Sequence, residues 1–202
     1  MQVTICTANC VGQAGNCSYP NKVTVVTPEQ LQEAVKKDHV CAEFKGNYRS
    51  IENFIRSDVI VMDIDNDHTE VPADWITAEK LEELFPNVEY LLAPSRHHLL
   101  DKEGKSARPR YHMYFPISEI TDATRYASLK RAIQSAYSFF DGNALDAARF
   151  IFGAECDEVI FHEGWMTVDE EVEVSDIEEE DFDSEMPGGK STGPILEGSR
   201  NN

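Results

Sequence analysis

The chain has 202 residues, enough for one domain with a substantial core or for a domain followed by a tail. It has no run of 18 apolar residues and no basic-then-apolar leader, so we expect a cytoplasmic protein without a membrane partner. The net charge of −19 is concentrated in residues 169–185, which hold eleven acids and no base, and the remaining 26 acids and 18 bases still allow a local basic groove.

The five cysteines are an odd number in a chain without an export signal, which favours reduced thiols over a disulfide framework. Cys6, Cys10 and Cys17 are close in sequence, and Cys41 could join them in space. The six-residue gap between Cys10 and Cys17 is loose for a zinc knuckle. We therefore expect buried free thiols in preference to a structural zinc site.

The first helix is predicted to begin after Thr27, which is a suitable N-cap. Pro28 suits the first turn, and Gln30 stands at the capping-box position. A strand is predicted at residues 40–44, followed by a connection that contains Arg49. The guanidinium of Arg49 suits a phosphate clamp, although many arginines in such loops only face water.

The stretch at residues 58–67 reads as a buried strand that ends in carboxylates. Its apolar run from Val59 to Met62 has no polar alternation, as in a central strand covered on both faces. Asp63 and Asp65 follow it and point to the same face, because side chains two apart on a strand share a face. The repulsion between them favours a bound cation, and hard oxygen ligands favour Mg²⁺ or Mn²⁺.

Three other readings of this acidic pattern remain. A calcium loop of EF-hand type would need Gly at His68 and Glu at Asp74, and it would follow a helix. A phosphoaspartyl transferase of the haloacid dehalogenase type would need Thr or Val at Asp67. The acids could also simply end a strand and begin a turn, where Asp and Asn are common.

Polar residues also follow the next predicted strand. A helix is predicted at residues 78–85, before a proline, and a strand at 88–93. Ser95 and His97 stand just after this strand, where a rigid element can position site residues.

The connection that follows is the most basic part of the chain. It supplies four cations before a strand predicted at 111–117: Lys102, Lys105, Arg108 and Arg110. Near a carboxylate site such cations favour an anionic substrate, and the alternative is a hairpin that only faces solvent.

The longest helix is predicted to run from Thr121 to Tyr137, and the segment 144–153 follows it. Asp146 and Arg149 are the polar members of this otherwise apolar segment. An acid in such a place is rarely there for packing, so Asp146 is a candidate third metal ligand.

Three polar motifs follow one another along the chain: Asp63-x-Asp65, then Ser95-x-His97, then Asp146 with Arg149. They resemble the three motifs of the archaeo-eukaryotic primase superfamily. The stretch from about Cys6 to Gly164 is similar to the primase-polymerase domains of replication proteins from bacterial phages, plasmids and integrative elements. The matching segments include Asn47-Tyr48-Arg49-Ser50, Ser95-Arg96-x-His98, Arg108-Pro109-Arg110-Tyr111-His112 and residues 144–150.

The resemblance implies an α+β fold, with an RRM-like mixed sheet and packed helices joined to an N-terminal α/β unit and the active site between them. It implies a DNA primase-polymerase that carries out metal-dependent, template-directed nucleotidyl transfer. The partners would be nucleoside triphosphates and a single-stranded DNA template.

The same resemblance implies roles for the candidate residues. Two Mg²⁺ or Mn²⁺ ions would be held by three carboxylates: Asp63, Asp65 and Asp146. The incoming triphosphate would be contacted by Ser95, His97, Arg49 and Arg149. Further contacts to phosphates or the template backbone, which position the strand without reading bases, would come from Arg108, Arg110, Lys102 and Lys105.

From Trp165 onward the composition changes. Residues 168–202 are first acidic and then rich in Gly, Pro, Ser and Thr, which predicts a flexible linker after a catalytic domain at 1–167. Residues 189–192 are not a phosphate-binding loop, because Ser184 occupies the first glycine position and no strand precedes it. Longer members of the resembled family often continue into a helicase, so a downstream helicase module is an expected partner.

Two other functions use the same features. A metal-dependent nuclease or phosphoesterase would use the same carboxylates, and a non-catalytic single-strand DNA-binding replication module would keep the acids for structure. A templated extension assay separates all three.

Overall fold

Two antiparallel sheets and three capped α-helices, with a further helical segment at residues 168–172, make up the part of the chain that the structure describes. The computed structural model describes residues 1–172. The N-terminal sheet has the strand order β2 (Asn21–Val25), β1 (Val3–Thr7), β3 (His39–Val40) and β8 (Phe150–Ile151). The central sheet has the order β4 (Glu43–Phe44), β5 (Phe54–Ile64), β7 (Tyr111–Ile120), β6 (Tyr90–Pro94) and β9 (Ile160–His162). The predicted α+β class is confirmed, and the ladders between these named strands are all antiparallel.

The helices α1 (Pro28–Val35), α2 (Ala78–Leu84) and α3 (Ala123–Ala136) each begin at a side-chain cap. Thr27 and Gln30 form the predicted capping box of α1, and Thr77 and Asp122 cap α2 and α3. Short 3₁₀ turns occupy Lys45–Asn47, Ile51–Asn53 and Pro72–Asp74. Among residues 1–172, no helix combines the length and apolar character needed to cross a membrane.

The central sheet has an RRM-like core. In chain order β5, α2, β6, β7 and α3 give the β-α-β-β-α part of a split βαβ fold, and β7 lies between β5 and β6 in the sheet. The edge beside β5 is taken by β4, which comes earlier in the chain, and β9 extends the edge at β6. This arrangement leaves the ends of β5 and β6 close together.

The strand β5 is buried on both faces, as predicted from its unbroken apolar run. Ile60 and Met62 pack with α2 and α3 on one face, and Val59 and Val61 pack with the N-terminal sheet and α1 on the other. Because side chains alternate along a strand, Asp63 continues the face that carries Val59 and Val61. The first acid of the pair is therefore directed to the side where the two sheets meet.

The folded core extends to the end of the described residues. Val168 is 0% exposed and Val172 is 4% exposed, and both belong to the apolar cluster around α2 and α3. The core thus continues at least five residues beyond the boundary predicted at residue 167. The rest of the predicted acidic linker and the expected helicase module lie outside the described residues.

Candidate active site

A cavity of about 350 Å³ opens where the N-terminal sheet meets the ends of β5 and β6. Its apolar wall is formed by Phe150, Ile151 and Phe152. Its polar lining contains Asp63, Asp65, Ser95, Arg96, His97, Lys102, Glu103, His112 and Arg149. The structure therefore brings together six of the predicted site residues, which come from three separate parts of the chain.

Asp63 and Asp65 each face a cation in this cavity. Arg149 Nη2 lies 3.2 Å from Asp63 Oδ2, and Lys102 Nζ lies 2.8 Å from Asp65 Oδ2. The Asp63 side chain is 13% exposed and the Asp65 side chain 28% exposed, so solvent and small ligands reach both. The two cations reduce the repulsion that the paired carboxylates would otherwise suffer.

Within residues 1–172, neither Asp63 Oδ1 nor Asp65 Oδ1 accepts a hydrogen bond, and we call these two oxygens open. His112 Nε2 lies 3.8 Å from Asp63 Oδ1, and Arg110 Nε lies 3.8 Å from Asp65 Oδ1. Both distances exceed hydrogen-bond range. Two open carboxylate oxygens at one cavity suit a hard cation such as Mg²⁺, which is commonly held by one or two carboxylates together with substrate phosphates.

Asp146 does not join this pair. Its side chain accepts a hydrogen bond from the Ala148 backbone N–H at 2.9 Å and lines a separate cavity with Asn143 and Arg131. Among residues 1–172, no cluster of three or more His, Cys, Asp or Glu side chains has the geometry of a metal site. The predicted three-carboxylate arrangement is therefore not formed by these side chains in this structure.

The prediction that Arg108 and Arg110 belong to a basic DNA-binding hairpin is wrong, because both side chains are 0% exposed. Arg108 donates to the backbone carbonyls of Asn66 and Thr69 at 2.9 and 3.2 Å and to Glu70 Oε2 at 2.7 Å. These partners belong to residues 65–70, which we term the acidic loop. Arg110 instead donates from Nη1 to the backbone carbonyls of His97 and Leu100 at 3.1 and 2.9 Å. Its Nε and Nη2 lie 3.8 and 3.7 Å from carboxylate oxygens of Asp65 and Asp67. Arg108 therefore organises the acidic loop, and both guanidiniums are buried away from a template backbone.

The acidic loop also forms ion pairs with Lys102 and Lys105, the two lysines that were predicted to contact phosphates or the template backbone. Lys105 Nζ lies 3.3 Å from Asp67 Oδ2 and is outside the cavity lining, whereas Lys102 lines the cavity beside Asp65. Asn66 is buried at a positive φ of 55°, where its amide bonds the backbone of Ile76 and Pro109. The turn just after Asp65 is thus fixed on both sides.

Arg49 lies outside the cavity lining. Its Nη1 donates to the Ala148 carbonyl at 3.0 Å and its Nη2 to the Asn16 carbonyl at 3.4 Å, while the guanidinium covers the Phe150 ring. These contacts hold the segment before β8 against the N-terminal unit. Its predicted contact with the triphosphate remains a prediction that this placement does not favour.

His97 and its neighbour His98 face different cavities. His97 lines the 350 Å³ cavity, and its pKa is lowered by burial and by the charges of Arg96, Lys102 and Arg110. His98 Nδ1 instead lies 2.9 Å from the Arg110 carbonyl oxygen, and its ring contacts Tyr111. His97 is therefore the histidine of this motif that is placed to meet a ligand beside Asp63 and Asp65.

Sequence reasoning missed two residues near Asp63. His112 lies directly opposite Asp63 in the β5–β7 ladder, and burial lowers its pKa although the Asp63 charge opposes that shift. Lys130 is 1% exposed and donates to the Ala144 carbonyl at 2.5 Å, and burial lowers its pKa although the charges of Asp63 and Asp146 oppose that shift. The spacing of Tyr126, Lys130 and Ile133 along one helix face could have indicated that this lysine is buried.

Comparison with known proteins gives one structural likeness. No protein-family model and no curated protein matches the chain. The chain is similar to the AEP domain of the primase-polymerase of cyanophage S-2L, with 13% sequence identity and a TM-score of 0.45. The similarity covers 82% of this chain and 83% of that one.

Proposed function

We propose that this chain is a DNA primase-polymerase domain that extends a nucleic acid strand from nucleoside triphosphates along a single-stranded DNA template. The observation that carries the proposal is the gathering of Asp63 and Asp65 with Ser95, His97, Lys102 and Arg149 around one cavity. Carboxylates beside cations suit a metal-bound triphosphate, and the order of these residues along the chain resembles the primase motifs.

The cation would be held by the open oxygens of Asp63 and Asp65 together with phosphate oxygens of the substrate. When bound, it would lower the pKa of an attacking hydroxyl and neutralise charge on the phosphates. This proposed donor set does not include Asp146, which lies outside the cavity lining.

The protein groups around the carboxylates would bind and orient the triphosphate. Lys102 and Arg149, now paired with Asp65 and Asp63, would supply positive charge to the phosphates. Burial and the neighbouring cations lower the pKa of His97, which favours the neutral ring, and the N–H of a neutral ring would donate to a phosphate oxygen.

A templated extension assay with a labelled nucleotide tests the proposed activity. Growth of a strand in the presence of Mg²⁺ or Mn²⁺ is expected. Shortening of the strand would assign the same carboxylates to a nuclease, and binding of DNA without either reaction would indicate a non-catalytic replication module.

The variant His97→Ala should raise the KM for nucleotide by about tenfold, roughly 1.4 kcal/mol, and leave the Kd for template within about twofold. The physical reason is that His97 lines the cavity beside the carboxylates. Steady-state extension kinetics and template titration measure the two quantities separately.

His68→Ala is the matched control, because His68 is an exposed histidine of the acidic loop that does not line this cavity. It should change neither quantity by more than about twofold. A fall in template affinity with an unchanged KM in His97→Ala would instead place His97 on the template path.

A further inference from the structure

Arg96 and Phe152 form a planar stack at the edge of the candidate active site. The guanidinium carbon of Arg96 lies 3.8 Å from the centroid of the Phe152 ring, and both side chains line the cavity that contains Asp63 and Asp65. A guanidinium at this distance is held over the ring by a cation–π contact. The Phe152 ring covers one side of the guanidinium, and because Arg96 is exposed, the side away from the ring can be reached from solvent.

Arg96 differs from the other cations of the cavity. Lys102 and Arg149 are paired with carboxylates, whereas the exposed Arg96 side chain has no ion pair and no hydrogen bond with any residue of the described range 1–172. Within the described residues, its guanidinium is positioned by the contact with Phe152. Such a side chain presents an open π-like face to a ligand in the cavity.

The support beneath Arg96 is rigid. The Phe152 ring packs edge-on against Phe150 with centroids 4.8 Å apart, and Arg49 covers the Phe150 ring at 4.8 Å. The next residue, Gly153, donates its N–H to Asp38 Oδ1 at 2.8 Å, and a Cβ there would lie 2.4 Å from the Lys36 carbonyl oxygen. This tight backbone packing fixes the strand end that carries Phe152.

We propose that the open face of the Arg96–Phe152 stack is the platform for the base of the incoming nucleoside triphosphate. The inference rests on the proposed function. The stack would bind the base of the substrate, whereas the carboxylates and Lys102 would bind its metal-bound phosphates. Bases of every type carry a π face and stack on arginine planes and aromatic rings. A stacking platform therefore binds all four bases and leaves their choice to the template.

Binding of dATP and of inorganic tripolyphosphate separates stacking from charge. Both probes are titrated in Mg²⁺ by calorimetry into the wild-type chain and into Arg96→Lys and Phe152→Leu. Arg96→Lys keeps the charge and loses the plane, and Phe152→Leu keeps apolar bulk and loses the ring. Both variants should bind dATP about tenfold more weakly, about 1.4 kcal/mol, and bind tripolyphosphate within about twofold of the wild type.

Arg125→Lys is the matched control, since Arg125 is an exposed arginine on α3 that does not line the cavity. It should bind both probes as the wild type does. Thermal unfolding of each variant checks the fold, and if Phe152→Leu unfolds early, Arg96→Lys alone decides the question.

Two results would overturn the platform while leaving the proposed function standing. If Arg96→Lys binds dATP with wild-type affinity, the base does not stack on Arg96. If the variant binds both probes equally more weakly, Arg96 contacts the phosphates instead. If the wild-type chain binds neither probe and extends no strand, the platform and the proposed function fail together.

Discussion

Replacing Asp63 or Asp65 by Asn should reduce templated extension by about a thousandfold or more, which corresponds to about 4 kcal/mol of lost transition-state stabilisation. Asn has nearly the same shape as Asp but lacks the charge that a hard cation requires. Both side chains are partly exposed and their ion pairs join partly exposed groups, so the free energy of unfolding should change by no more than about 1 kcal/mol. Extension kinetics and chemical denaturation measure the two effects.

Asp146→Asn is the informative comparison for this pair. The Asn side chain can still accept the hydrogen bond from the Ala148 N–H, and Asp146 lies outside the cavity lining. We therefore expect a much smaller loss of extension than in Asp63→Asn or Asp65→Asn. Titration with Mn²⁺ gives a second readout, in which only Asp63→Asn and Asp65→Asn should weaken binding of the ion. A loss in Asp146→Asn equal to that in Asp65→Asn would restore the three-carboxylate site.

The placement of the carboxylate pair could be predicted from the sequence because it depends on residues that are neighbours in the chain. An unbroken apolar run predicts a strand covered on both faces, and the period of two places Asp63 and Asp65 together. Helix starts were equally predictable, since Thr27 and Gln30 make a reciprocal cap within four residues. In each case the residues that decide the structure are neighbours in the chain.

The basic connection could not be interpreted correctly because its partners are distant. A sequence shows Arg108 and Arg110 as charges in a loop. Only the fold reveals that both are buried, and that Arg108 donates to the carbonyls of Asn66 and Thr69, about 40 residues away in the chain. The same limit applies to Asp146, whose apolar surroundings in sequence suggested an inward acid, whereas the structure exposes it beside its own turn. Long-range packing decides which charged groups reach a ligand.

Acid should destabilise the folded chain strongly through His39. This side chain is 0% exposed, and burial lowers its pKa from 6.5 to about 4. Its Nδ1 lies 2.8 Å from the Lys37 carbonyl, so Nδ1 carries the proton, and Nε2 accepts from the Tyr114 hydroxyl at 2.8 Å. The folded state thus holds a neutral imidazole.

The sign follows from proton binding. Below about pH 6.5 the unfolded chain takes up a proton on His39 and the folded chain does not until about pH 4, so stability falls as the pH falls through this window. The loss between pH 7 and pH 4 should be about 3 kcal/mol from this residue. Urea denaturation at pH 7, 6, 5 and 4 measures the free energy of unfolding across the window.

The variant His39→Gln isolates this contribution from other titrating groups. Gln can replace the hydrogen bonds to Lys37 and Tyr114 but takes up no proton, so its stability should fall about 3 kcal/mol less than that of the wild type over the same pH range. The readout is the slope with pH, which stays meaningful even if the variant is less stable at pH 7. His68→Gln, which removes an exposed histidine, should keep the wild-type slope. Parallel pH profiles for His39→Gln and the wild type would show that His39 does not control the acid sensitivity of this fold.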